Sequence, residues 1–304
     1  MKGARAFSPC HITGLFEIFD QPANALFAGS RGAGVCINKG VETTVKIEKA
    51  SKSSLKVKIN ETYSNPAEVS RQVIKTFLSQ FAIPDNYRIN VEHQVEVPIG
   101  AGFGTSGAAA LSLALALNDV FELGMSDTEA AQIAHTAEIK CKTGLGTVIA
   151  EASGGLEVRI KPGAPGIGEI KKIPVQEDYM IVCLISGPLP TKEFLTNAEI
   201  CKRVNGFGGE LINGIIERPS VSTFMHSSRQ FAERTDMITD RIRKVLDIVD
   251  KYNIICSMPM FGETVFTIIE EEYLQQILAI FNTHNSDRRI LVSAIDFEGA
   301  RLVA

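Results

Sequence analysis

Residues 98–110 read Pro98-Ile99-Gly100-Ala101-Gly102-Phe103-Gly104-Thr105-Ser106-Gly107-Ala108-Ala109-Ala110. Just upstream, Tyr87 to Val97 alternates through Ile89, Val91, Val95 and Val97, and reads as a strand. Just downstream, the segment from about Ser106 to Phe121 reads as a helix. A strand, a glycine-rich turn and a helix N-terminus in that order make an anion site. The first N–H groups of the helix lack intrahelical partners, its dipole is positive there, and glycine lets a phosphate come close.

Working outward, Val35-Cys36-Ile37, Glu42 to Lys49 and Ser54 to Asn60 read as strands. Pro66 opens a helix with Val69, Val73, Ile74, Phe77, Leu78 and Phe81 at helical spacing. Ser126-Asp127-Thr128-Glu129 is a capping box, starting a helix that runs to about Cys141. Gly144 and Gly146 mark a loop, and Leu156 to Ile160 is a short strand. Lys161 to Gly168 is the richest proline and glycine stretch, and the domain boundary is set near it, although a long hairpin would look the same. Beyond it come a buried-looking strand at Tyr179 to Ser186, polar helices from Thr191 to about Lys251, and a strand at Thr264 to Ile269. A helix at Glu271 to Phe281 and a strand at Arg289 to Ser293 follow, in keeping with an α+β layer.

The chain's 304 residues are enough for one large or two ordinary domains with real cores. A net charge of −4 argues against nucleic acid or an anionic membrane as the main partner, while leaving room for a small anionic substrate. The most apolar run, Ala108 to Leu117, is too short for a membrane span, and the N-terminus has no signal-peptide pattern. Six cysteines are scattered without a CxxC pair, which fits free thiols in a reducing cytosol. A cytoplasmic enzyme or binding protein is the expectation.

The turn has several readings. Gly102 to Gly107 matches G-x-G-x-x-G, but a dinucleotide-binding unit needs a second parallel strand after the helix, and here a second helix follows. No G-x-x-x-x-G-K-[ST] is present, so a P-loop is excluded. A plain tight turn capped by Thr105 or Ser106 needs fewer glycines. Pro98 to Ala109 resembles the phosphate loop of the GHMP small-molecule kinases at nearly every position; Gly107 departs, where serine or alanine is usual. That resemblance implies an α+β fold of two domains. The first, over 1–170, would be a nucleotide-binding domain like ribosomal S5 domain 2, and the second, over 171–304, a ferredoxin-like α/β layer. It implies ATP and Mg²⁺ as cofactors, with Pro98, Gly100, Gly102, Gly104, Thr105, Ser106 and Gly107 around the nucleotide phosphates and Ser106 near the metal.

His135 and Glu138 lie three apart on one helix and share a face. A carboxylate beside a phosphate loop suits Mg²⁺, which takes few protein ligands, and the resemblance makes Glu138 the metal-binding glutamate. The family's usual catalytic aspartate would fall near Thr147, so the substrate hydroxyl is expected to lose its proton late, to solvent or to phosphate. Phe7 to Phe16, Gly29 to Val35, Thr143 to Gly146 and Gly187 to Glu193 resemble the pantoate kinase branch of the superfamily. That resemblance implies pantoate as the small-molecule substrate. Arg159 would hold its carboxylate, with Ser30, His135 and Thr191 around the substrate. His11 and Thr13 either line the pocket or brace the N-terminal turn, with bracing favoured. Ser257 to Thr264 stands where the family's third glycine-rich loop lies. Another hydroxy acid as acceptor, such as homoserine or mevalonate, and a nucleotide-binding regulator without catalysis are the alternatives. A homodimer is compatible with the family, though no residue argues for it.

Overall fold

The computed structural model describes residues 2–63, 67–189, 198–283 and 289–303. Two long strands organise it. β1 (Lys2–Phe19) and β2 (Gly29–Lys49) pair antiparallel along nearly their whole length. β1 is hard to read in the sequence because Pro9 and Gly14 interrupt it. The register slips between Pro9 and Cys10 and again between Thr13 and Leu15, which are β-bulges that keep the strand going.

On its other edge β2 carries two strands in succession. β6 (Leu156–Lys161) pairs with residues 32–35, and β5 (Tyr87–Val95) pairs with residues 41–49. β3 (Ser54–Ile59) and β4 (Thr62–Tyr63) extend the sheet beyond β5, and β7 (Glu169–Lys172) extends it beyond β6. The β6–β7 pairing makes the 161–168 stretch a hairpin connection. A second sheet runs β10-β8-β9, from β8 (Tyr179–Pro188), β9 (Gly262–Glu270) and β10 (Arg289–Ala294). The expected division at residue 170 falls inside β7, which its pairing keeps in the first sheet. A last strand, β11 (Arg301–Val303), also returns to that sheet and pairs with Arg5, Ala6 and Phe7 of β1.

Helices α1 (Glu68–Gln80), α2 (Thr105–Val120) and α3 (Asp127–Cys141) build one core with the first sheet. α2 is apolar on every side because it touches β1, β2, α1, α3 and the short helix α4 (Thr147–Ser153). α5 (Ala198–Glu217), α6 (Val221–Arg234), α7 (Asp240–Val249) and α8 (Leu274–Thr283) join the second core, with the second sheet and the near ends of β1 and β2. The expected helix at 271–281 starts later, after a 3₁₀ turn at Glu271–Tyr273. The capping box is present as read: Ser126 accepts from the Glu129 N–H, and the Glu129 carboxylate accepts from the Ser126 N–H at 2.8 Å. Among the described residues, no helix is long and apolar enough to cross a membrane.

A polar string ties the sheet to two helices. His93 on β5 lies 2.7 Å from Thr43 Oγ1 and 3.0 Å from Ser70 Oγ, and Thr43 Oγ1 lies 2.6 Å from Ser112 Oγ on α2. Burial pushes the His93 pKa down to about 4 from an ordinary value near 6.5. The unfolded chain therefore takes up this proton first as the pH falls. The stability held by a neutral His93 is complete above about pH 6.5 and is lost towards pH 4. Urea unfolding at pH 7.5 and pH 5.0 tests this: His93→Gln should shrink the loss between the two by about 2 kcal/mol.

Candidate active site

The glycine-rich turn is held by its carbonyl groups. His11 N–H on β1 donates to Phe103 O at 3.0 Å, Leu189 N–H donates to Gly100 O at 3.0 Å, and Thr264 Oγ1 on β9 donates to Ala101 O at 2.9 Å. Ala101 and Phe103 are buried as anchors. Gly100, Gly102 and Gly104 have φ of 80°, 90° and 63°, the left-handed region that glycine enters without strain. Gly104 caps α2 with no side-chain hydrogen bond, which leaves the first-turn N–H groups for a ligand. Gly262 packs so tightly on Ala101 and Gly102 that a side chain there would strike their backbone. The segment at 257–264 thus buttresses the turn from behind with its single glycine.

The turn forms one wall of a cleft of about 730 Å³. Thr143 to Thr147 also line it, with Thr147 close against Gly104 and Gly107 and with Ser106 and Thr105 at the helix end. At its edge Glu138 is 2% exposed and receives two hydroxyl donors. Thr143 Oγ1 donates to Oε1 at 2.5 Å, and Ser106 Oγ donates to Oε2 at 3.2 Å. Burial pushes the Glu138 pKa up to about 7 against the pull of these two bonds. A carboxylate and a serine hydroxyl beside a row of N–H groups form a hard-oxygen donor set, which fits a small divalent cation shared with phosphate. No group of three or more His, Cys, Asp or Glu side chains suited to a metal occurs among the described residues, so any such ion would draw most of its shell from ligand and water.

The cleft floor is built on three strands. Ser30, Gly32 and Gly34 fall on one face of β2 by the two-residue period of a strand. His11 and Thr13 lie on β1, and Glu157 and Arg159 on β6, at the same spacing. Gly34 is opposite both Thr13 and Glu157, and Gly32 is opposite Arg159. A side chain at Gly34 would strike the His11 ring, and one at Gly32 would strike the Arg159 guanidinium. The two glycines therefore open a trench across which β1 and β6 side chains meet. His11 Nε2 lies 3.0 Å from Glu157 Oε1, which also pairs with Arg159 Nη1, all of them fully buried. Arg159 lines the cleft, and its Nε has no hydrogen-bond partner among the described residues. An unpaired buried guanidinium N–H costs free energy, and an acceptor brought to it would remove that cost.

Of the residues expected at the site, Ser30, Gly100, Gly102, Gly104, Thr105, Ser106, Thr147 and Arg159 line the cleft. Glu138 reaches it through Ser106 and Thr143. Pro98 starts the turn without lining the cleft. His135 must be corrected. Its Nε2 lies 3.0 Å from Ala28 O and 3.2 Å from Ala25 O, and the ring is 1% exposed. The segment before β2 passes over α3 at that point and takes the imidazole, so His135 braces that loop and does not line the cleft. Thr191 lies outside the described residues. Gly107 has a packing reason: a side chain there would meet the Glu151 carboxyl on α4. That carboxyl is fully buried without a partner among the described residues, and burial holds it neutral well above the usual range. His11 and Thr13 both line the cleft and brace it, since the His11 N–H holds the turn and Thr13 O accepts from Met260 N–H at 3.0 Å.

Residues 68–155, from α1 to the end of α4, match the family model of the GHMP kinase N-terminal domain. The chain is 35% identical to a pantoate kinase of Methanocaldococcus jannaschii, over 90% of this chain and 96% of that one. It is 33% identical to a pantoate kinase of Thermococcus kodakarensis, over 92% of both. A solved structure described as a phosphotransferase related to the CoA biosynthesis pathway superposes with a TM-score of 0.88 at 30% identity, covering 99% of this chain and 98% of that one. At this identity to two pantoate kinases, and with the glycine-rich turn, the buried glutamate and Arg159 gathered at one cleft, the chain belongs to the pantoate kinase family of the GHMP kinases.

Proposed function

We propose that this protein transfers the terminal phosphoryl group of ATP to the terminal hydroxyl of pantoate, giving 4-phosphopantoate for coenzyme A biosynthesis. The observation that carries this reading is the pairing of two anion sites in one cleft. The backbone of 100–107 suits the nucleotide phosphates, and the unpartnered Nε of Arg159 suits a substrate carboxylate. Ser30 borders Arg159 at the floor, where Gly146 leaves room for both side chains, and it can orient a hydroxyl of the same substrate. Phosphoryl transfer depends mainly on position and charge, and the turn supplies the first through its three clamped carbonyls.

Ser106 and Glu138 are the residues to hold Mg²⁺, which when bound neutralises charge on the phosphates. Thr143 fixes the Glu138 carboxylate by its own hydroxyl bond. Thr147 opens α4 and lines the cleft, at the position where the family likeness leads one to expect an aspartate. A reducing compartment such as the cytoplasm agrees with six scattered cysteines that form no CxxC pair in the sequence.

An ADP-release assay over pantoate, homoserine and mevalonate tests the acceptor. Pantoate should give the signal, and turnover of another acid in its place would reassign the substrate. Ser106→Ala and Glu138→Gln should each lower kcat/KM by about 10²–10³-fold. Full turnover in either would remove it from the metal corner. Arg159→Lys should raise KM for pantoate about tenfold or more while the KM for ATP stays close to wild type, because an ammonium cannot reproduce the planar guanidinium donors.

A further inference from the structure

The reaction removes a proton from the acceptor hydroxyl, and Thr147 gives the cleft no carboxylate to take it. Two acids beside the turn are unsuited. Glu138 is occupied by Ser106 and Thr143. Glu151 lies behind Gly104 and Gly107, walled off from the cleft. On the floor, however, three groups stand in sequence. Thr13 Oγ1 is part-buried on the cleft wall and 3.1 Å from His11 Nδ1. His11 Nε2 is 3.0 Å from Glu157 Oε1, and Glu157 is held by Arg159.

The hydrogen-bond chemistry gives this string a direction. A carboxylate paired with Arg159 accepts only, so His11 Nε2 carries the ring proton and donates it to Glu157. Nδ1 is then an acceptor, and the Thr13 hydroxyl donates to it. The Thr13 oxygen keeps its own lone pairs free to accept from a hydroxyl bound in the cleft. A hydroxyl, an imidazole and an orienting carboxylate in this order form an activated proton acceptor.

We propose that Thr13, backed by His11 and Glu157, takes the proton from the acceptor hydroxyl during phosphoryl transfer. The assignment rests on the kinase reading given above. As the new oxygen–phosphorus bond forms and the bond to the ADP oxygen breaks, the acceptor O–H proton passes to Thr13 Oγ1. The original Thr13 proton moves to His11 Nδ1. The imidazolium so formed is stabilised by Glu157, and after product leaves the proton returns by the same path to solvent. Thr13 is the residue that touches the substrate, and His11 and Glu157 act through it.

The charged and titratable groups around the ring are few. Glu157 and Arg159 face it from β6, Cys36 is its register partner on β2, and Glu151 lies beyond Gly104 on α4. Burial pushes the Cys36 thiol well up, so it stays neutral. Burial also pushes the His11 pKa down, against the pull of Glu157. The ring is therefore neutral and ready at pH 7, and loses that capacity only as acid protonates it.

Two measurements test the relay. Nitrogen-15 NMR of the ligand-free wild-type protein, with His11 assigned by comparison with His11→Asn, should show the neutral tautomer protonated at Nε2 at pH 7.5. A ring protonated at Nδ1 would overturn the relay without any assay of activity. In steady-state kinetics, Thr13→Val and His11→Asn should each lower kcat by about 10²-fold or more, with KM for pantoate changed less than about threefold. The wild-type acid limb of kcat/KM should disappear in His11→Asn. Thr13→Val keeps the shape of threonine, so it tests the hydroxyl if His11→Asn does not fold. No product from pantoate in the wild type would defeat the kinase reading itself. Product in the wild type with an unchanged kcat in Thr13→Val would defeat the relay alone.

Discussion

The absence of side chains at Gly32 and Gly34 is the constraint on which the cleft depends. β1 and β6 are not neighbours; β2 lies between them. A side chain at either glycine would meet the imidazole or the guanidinium that now lies over it. With the two positions empty, groups from three strands share one face and one layer. The buried charge of Arg159 is then compensated at once by Glu157, which is what makes burial of a guanidinium tolerable. The trench therefore determines both the shape of the floor and its charge balance.

The phosphate turn rests on the same scaffold through a different kind of bond. Its carbonyls are taken by β1, by the segment after β8 and by β9, so both sheets hold it. A turn held by its acceptors keeps its donors available, and glycine lets its backbone take the positive φ values the turn needs without strain. His11 belongs to both systems. Its main chain fixes the turn, and its side chain crosses the trench to Glu157. A shift of β1 would move the glycine-rich wall and the floor of the cleft together.

Much of this was legible in the sequence. The turn, its helix and the capping box before α3 follow from local chemistry, because each is encoded within a few residues, whereas Glu138 came from family likeness. The floor was legible only in parts. Ser30 and Arg159 came from family likeness, and the i, i+2 pairs His11/Thr13 and Glu157/Arg159 are visible as strand patterns. Nothing local says that β2 places glycines between those pairs. His135 shows the opposite failure. Its spacing from Glu138 puts both on one helix face, yet the approach of residues 25–28, distant in sequence, decides where the ring goes. Gly107 looked like a departure from a motif and is explained by Glu151, whose position depends on α4. The helix α4 itself is too short for periodicity to reveal.

The return of β11 to β1 has a consequence for the order in which the molecule is made. Residues 5–7, near the start of the chain, pair with residues 301–303. The segment leading there also covers α4, with Ala300 N–H donating to Glu151 O at 3.0 Å and Gly155 N–H donating to Asp296 O at 2.6 Å. On the ribosome the strand that carries His11 and Thr13 emerges long before β11, and part of its edge stays unpaired until these residues arrive. Contacts so distant in sequence form slowly, and an open edge invites pairing with another chain. A strand made well before its partner is thus among the last to be closed, and the nascent chain is open to misassembly at the strand that supports the cleft.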